Sequence, residues 1–225
     1  MRQRSKVLLA SAALLLAAGC ATYPAAQAPM ESVPAPVLKS GESWVYAETN
    51  PYNHTRLRTV RFTLEARPQG FELVGRSDRP ADPVMTETIT RPWDIAADSD
   101  GATRRTFAPP FATLRFPLAP GTSWKQAVHV TDERGRVLRW AALTRAIRWE
   151  RVATPAGEFV ALRVEREMNL GDVEPGWNST QQSDIYWYVP EVGRWVRWEH
   201  RFVRVERSRE PRVQRDWRLW ELVGR

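Results

Sequence analysis

His54, His129 and His200 lie in separate segments, without the H-x-x-x-H or H-E-x-x-H spacing that sets two imidazoles on one metal ion. A single Cys in 225 residues excludes an internal disulfide and a multi-cysteine metal site. A serine hydrolase of the G-x-S-x-G kind holds its nucleophile on a strained turn between two glycines, and Ser123 in Gly121-Thr-Ser-Trp124 lacks the second one. Asp98-Ser-Asp100-Gly101 opens like a calcium loop but has neither the downstream Glu nor the further ligands. Acid pairs such as Glu165 and Glu167 are what 26 acidic residues produce by chance. His200 alternates with Trp198 and Phe202, the pattern of a packed histidine. No catalytic set, metal or cofactor is expected, and a hydrolase with an unrecognised site is the one enzymatic reading left.

The chemistry that the sequence does announce is covalent lipid attachment. Met1 to Lys6 carries three positive charges, and Val7 to Ala18 is an apolar run of 12 residues. A bilayer-spanning helix needs about 20 such residues, so this is the layout of a secretory signal peptide. Ala17-Ala18-Gly19 then precedes the chain's only cysteine, Cys20. The segment resembles the lipobox of bacterial lipoproteins, with Ala17 where the usual Leu stands. That resemblance implies a lipidated Cys20 as the first residue of a mature chain of 206 residues. Two or more acyl chains would anchor it stably. Ala21, rather than Asp, is similar to the outer-membrane sorting pattern and implies a protein on that membrane, facing the periplasm.

The elements that follow must carry whatever the protein does. Residues 20–40 contain Pro24, Pro29, Pro34 and Pro36 among alanines with no periodic pattern, which predicts an extended tether reaching about 60 Å or an arm docked on the domain. From Gly41 to Arg225 a single β-rich domain is expected. Period-two alternation runs through 44–46, 57–64, 71–74, 124–130, 160–164, 185–189, 196–202 and 217–219. Stretch 137–152 also fits a helical stripe, but its flanking strands favour a strand. Asp94 to Thr106 is polar and predicted as a loop, and Ala108-Pro109-Pro110 as a break. The fold class is mainly β, an antiparallel sheet curved into a half-barrel or partly closed barrel. Gly41-Glu-Ser-Trp44 and Gly121-Thr-Ser-Trp124 echo each other 80 residues apart, and each is followed by a Pro-x-Gly turn, at 68–70 and 155–157. Duplication of a strand meander and common turn punctuation both explain the echo.

Two runs carry a family resemblance. Thr154-Pro-Ala-Gly-Glu-Phe-Val-Ala-Leu-Arg-Val-Glu165 and Asp184-Ile-Tyr-Trp-Tyr-Val-Pro-Glu-Val-Gly-Arg-Trp-Val-Arg-Trp-Glu199 are similar to segments of a proteobacterial envelope lipoprotein family of unknown function. The resemblance implies a periplasmic β half-barrel, in outline like the lipoprotein carriers of the Lol system. It implies no catalytic residues.

Charge and aromatics complete the reading. There are 33 basic residues, 30 of them Arg, against 26 acidic ones, and taking away the three bases of the signal peptide leaves +4. Residues 194–225 hold ten Arg and five acids, so the excess sits at the C-terminus. Outside the cytoplasm such a patch would meet anionic phospholipid or an acidic partner, through Arg204, Arg207, Arg209 and Arg212, rather than nucleic acid. Trp187, Trp195, Trp198, Trp217 and Trp220 are the ligand-binding candidates. The three-residue spacing of 195/198 and of 217/220 predicts rings on opposite faces of the sheet. The expected role is non-enzymatic binding of an amphiphilic ligand or apolar partner segment by a membrane-anchored envelope protein. The alternative is an envelope assembly protein that contacts a protein or glycan through the Trp/Arg-rich C-terminal sheet.

Overall fold

The computed structural model describes residues 23–171, 180–206 and 212–225. These residues form twelve antiparallel strands and no helix. The strands are β1 (Ser43–Asn50), β2 (Thr55–Arg67), β3 (Gly70–Ser77), β4 (Met85–Arg91), β5 (Asp94–Ser99) and β6 (Arg104–Ala112), followed by β7 (Ser123–Asp132), β8 (Val137–Thr154), β9 (Gly157–Leu170), β10 (Thr180–Val189), β11 (Arg194–Glu206) and β12 (Arg212–Gly224). Each pairs with the next, and β12 returns to β1, so the sheet closes into a barrel. Closure goes beyond the expected half-barrel and leaves no open sheet edge.

The walls follow the alternation of the sequence. Along β9, Leu162, Val164, Arg166 and Met168 are buried while Arg163, Glu165 and Glu167 turn outward. In β8, Trp140, Ala142, Thr144 and Ala146 do the same, which settles 137–152 as strand. Charge outside and apolar bulk inside is the reverse of a membrane-spanning barrel.

Two corrections concern 94–112. Asp94–Ser99 and Arg104–Ala112 are strands, not loop and break. Ile95 pairs with Phe111 and Ala97 with Thr106, so four residues, 107–110, bulge out of register with β5. Pairing of β6 with β7 stops at Ala108. Pro109 and Pro110 therefore stand where neither neighbour asks for an N–H, which is how a strand tolerates them.

The echo at 41 and 121 has a structural counterpart. Gly41 and Gly121 start the two six-stranded halves with φ of +89° and +86°, a conformation that needs glycine. Gly41 N–H donates to Leu64 O and Leu64 N–H to Glu42 O, both at 2.8 Å. Gly121 N–H donates to Ala146 O at 2.9 Å and Ala146 N–H to Thr122 O at 2.8 Å. The halves thus share one local plan.

One barrel end is plugged. Trp93, Leu114, Leu118 and Val192, from the connections between strands, are buried there with Trp44 and Val33. Val33 and Leu118 exchange backbone bonds of 2.7 and 2.9 Å. Residues 23–40 are accordingly docked over their described length, the alternative to a free tether. Tyr23 packs edge-on against Trp187, Ala26 N–H donates to Trp149 O, and Pro24 O accepts from Arg151 N–H. Apolar anchors at Tyr23, Met30, Val33 and Leu38 offset the cost of ordering this segment.

Candidate functional site

The barrel interior is not filled. A cavity of about 410 Å³ lies inside it, from Arg194 and Trp195 above the plug to Ser99 and the exposed Asp100 at the opposite rim. Its walls include Phe62, Phe107, Phe111, Trp140, Met168, Trp198 and Trp220. Size and lining match small-molecule sites, which run from about 300 to about 1,000 Å³ and are mostly apolar with few polar groups.

The five candidate tryptophans divide. Trp195, Trp198 and Trp220 line the cavity. Trp187 is on the outer wall, sealed under Tyr23, with Arg163 and Arg197 over its ring and its Nε1 donating to the buried Glu150 at 2.7 Å. Trp217 is also outside, edge-on to Tyr52 and capped by Arg201. The 217/220 pair thus splits between faces as expected. The 195/198 pair does not. Tyr188 pairs with Trp195 and Trp187 with Arg197, so Val196 is an extra residue in β11. That bulge restores parity and turns both rings inward.

The polar part of the wall was not read from the sequence. Arg166, Asp184 and His200 are direct neighbours across β9, β10 and β11. Arg166 donates to Asp184 Oδ2 from Nε at 3.0 Å and from Nη2 at 2.7 Å. Gln182 Nε2 reaches the same oxygen at 2.8 Å, while Trp198 Nε1 donates to Oδ1 at 3.0 Å. His200 Nδ1 lies 2.9 Å from Oδ1. Arg166 also bonds the Tyr186 hydroxyl and lies over the Phe111 and Tyr186 rings. Burial alone would raise the Asp184 carboxyl; Arg166 and His200 outweigh it and hold the group well below the usual carboxylate range. His200 packs edge-on against Trp198 and also lines the cavity.

Two more charged residues face the cavity. Arg194, the first residue of β11, is 2% exposed, with its guanidinium among aromatic rings. Glu87 of β4 leaves Oε2 buried without a hydrogen bond, and burial pushes its carboxyl up. Both were legible in part: Glu87 shares period-two parity with Met85 and Ile89, and Arg194 follows the Pro190–Gly193 turn. Near the rim, Asp98 and Arg105 form a two-bond pair at 2.8 Å each.

Arg204 is half-buried on β11. Arg207 and Arg209 lie outside the described residues, as does Cys20, and Arg212 begins β12. Among the described residues no group of three His, Cys, Asp or Glu side chains could hold a metal ion.

No family model and no curated protein matches the chain. Two solved structures are similar to it. One is the crystal structure of a "putative exported protein with YmcC-like fold" from Bacteroides fragilis, at 15% identity and a TM-score of 0.49 over 85% of this chain and 98% of that one. The other is a "putative lipoprotein" from Parabacteroides distasonis, at 13% identity and a TM-score of 0.45 over 87% of this chain and 99% of that one.

Proposed function

We propose that the protein is a lipid-anchored component of the bacterial envelope whose barrel binds an amphiphilic ligand, or an apolar segment of a partner, without catalysing a reaction. It is held through lipidated Cys20 on the outer membrane and faces the periplasm. The aromatic-walled cavity of about 410 Å³ carries this reading. A binding role is further supported by the interior polar groups, since Asp184 is engaged by Arg166, Gln182, Trp198 and His200, which are part of the cavity wall. Tyr23, docked on the wall, is three residues from Cys20. At no more than about 3.6 Å per residue, the anchor keeps the barrel within roughly 11 Å of the bilayer surface at that point. The alternative of surface contacts through the C-terminal sheet retains only Trp217 of the five tryptophans, because Trp187 is covered and the others line the cavity.

Native mass spectrometry of the protein purified from envelopes tests the binding reading. The expected spectrum contains a co-purified amphiphile in addition to the anchor. Ligand-free protein only, under extraction conditions that spare other lipid complexes, would refute it. Cys20→Ser is expected to move the protein from the membrane to the soluble fraction, and unchanged fractionation would refute the anchor.

A further inference from the structure

Arg194 is out of balance with its surroundings. Its guanidinium carbon lies 4.3 Å from the Trp195 ring centre and 5.0 Å from those of Phe62 and Trp93, with Trp44 and Tyr46 at 5.3 and 5.6 Å. Among the described residues its Nε and Nη1 donate to nothing, although both are buried. The rings repay part of the cost of burying the charge, at about 2 kcal/mol or less each, but a π face accepts no directional N–H bond in their place. Glu87, the acid facing the same cavity, feels the Arg194 charge but makes no direct salt bridge with it. The other interior arginines show the contrast. Arg166 has Asp184, Arg105 has Asp98 and Arg58 has Glu48. Among the described residues, Arg194 alone of these four borders the cavity without a carboxylate partner of its own, its Nε and Nη1 covered by the surrounding rings.

Building on the binding reading above, we infer that the ligand is an acidic amphiphile whose carboxylate or phosphate oxygens meet Arg194 at the floor of the cavity, with its apolar chain running along Trp195, Trp198 and Trp220 toward the rim. A two-oxygen acid matches the guanidinium fork, and the bond gains strength where water is excluded. Carboxylates and phosphates share this chemistry.

The test uses the mature chain from residue 20 carrying Cys20→Ser, titrated with dodecanoate, dodecyl phosphate and dodecanol, three probes with one chain and different heads. Binding is followed by calorimetry. At least one acid is expected to bind about tenfold or more tighter than the alcohol, the value of a charge-assisted hydrogen bond, and which acid does so separates a fatty acid from a lipid phosphate. Arg194→Gln should abolish that preference and leave dodecanol binding in place. Arg194→Lys keeps the charge but loses the fork, so it should narrow the preference even if the Gln variant does not fold. Equal binding of acid and alcohol, or a preference that survives both substitutions, overturns the inference while the amphiphile reading stands. Failure of all three probes to bind overturns both.

Discussion

Replacing Asp184 with Ala is expected to lower the stability of the barrel by about 3–5 kcal/mol, the usual result of removing one partner of a buried ion pair. The carboxylate accepts from Arg166, Gln182 and Trp198 and contacts His200, and Asp184 itself is 1% exposed. Without it, the Arg166 charge would remain buried and unpaired. Asp184→Asn should cost less, because an amide oxygen still accepts, but it removes the charge and with it a pH dependence. The folded-state carboxyl is depressed. Its contribution is therefore fully present above the unfolded value, about 3.9, and is lost as pH falls through the folded one. Glu87 and Asp98 act in the opposite sense, since burial raises both and each favours folding more in its protonated form. The difference between the protein and its Asn variant cancels those two. Urea unfolding from about pH 6 to about pH 3 should show the gap between them shrinking as pH falls. A gap that is constant with pH would mean that the Asp184 carboxyl is not depressed in the folded state.

How far the sequence foretold this molecule depends on how locally each feature is determined. Alternation identified β1, β2, β3 and the long C-terminal hairpins because each strand buries one face, and burial leaves its mark every second residue. The strands of 94–112 escaped because β5 has few apolar residues and β6 carries two prolines, and only the register with β5 and β7 reveals that those prolines displace no hydrogen bond. Barrel closure rests on β1 meeting β12, a pairing across the whole chain with no local sign. The cavity tryptophans were half legible. Trp217 and Trp220 obey strand parity, whereas Trp195 and Trp198 are separated by a bulge at Val196 that no residue type announces. Arg166, Asp184 and His200 look like three unrelated polar residues until the hairpin between β10 and β11 and the β9 register bring them into one row. In the sequence Arg194 is one of the ten arginines of residues 194–225, beside Trp195. Its burial followed from the plug beneath it, which is built from connections that propensity does not describe.

That plug makes Trp93 the second residue whose loss should be severe. Trp93→Ala is expected to destabilise the barrel by about 3–5 kcal/mol. The side chain is fully buried in the turn between β4 and β5, with its ring against Trp44 and Trp195 and beneath Arg194. Its Nε1 donates to Gly193 O at 3.1 Å, tying this turn to the turn between β10 and β11. Trp44 makes the parallel tie, Nε1 to Val192 O at 3.2 Å. The backbone of Trp93 has φ of +63°, an unfavourable conformation for a bulky residue that costs of order 1–3 kcal/mol and persists only where packing over-determines it. Alanine would keep most of that backbone cost and lose the packing that repays it. Trp93→Gly relieves the backbone and should therefore be no worse than Trp93→Ala, despite its smaller side chain. Trp93→Phe retains a ring but loses the bond to Gly193, and should fall between the Ala variant and the unsubstituted protein. Urea unfolding of the three variants with an unchanged denaturant slope would give this order directly. If Trp93→Ala lay within about 1 kcal/mol of the unsubstituted protein, the plug would be a passive filling rather than the element that holds the two halves together, and the floor under Arg194 would have to be maintained by Trp44 and Leu114 alone.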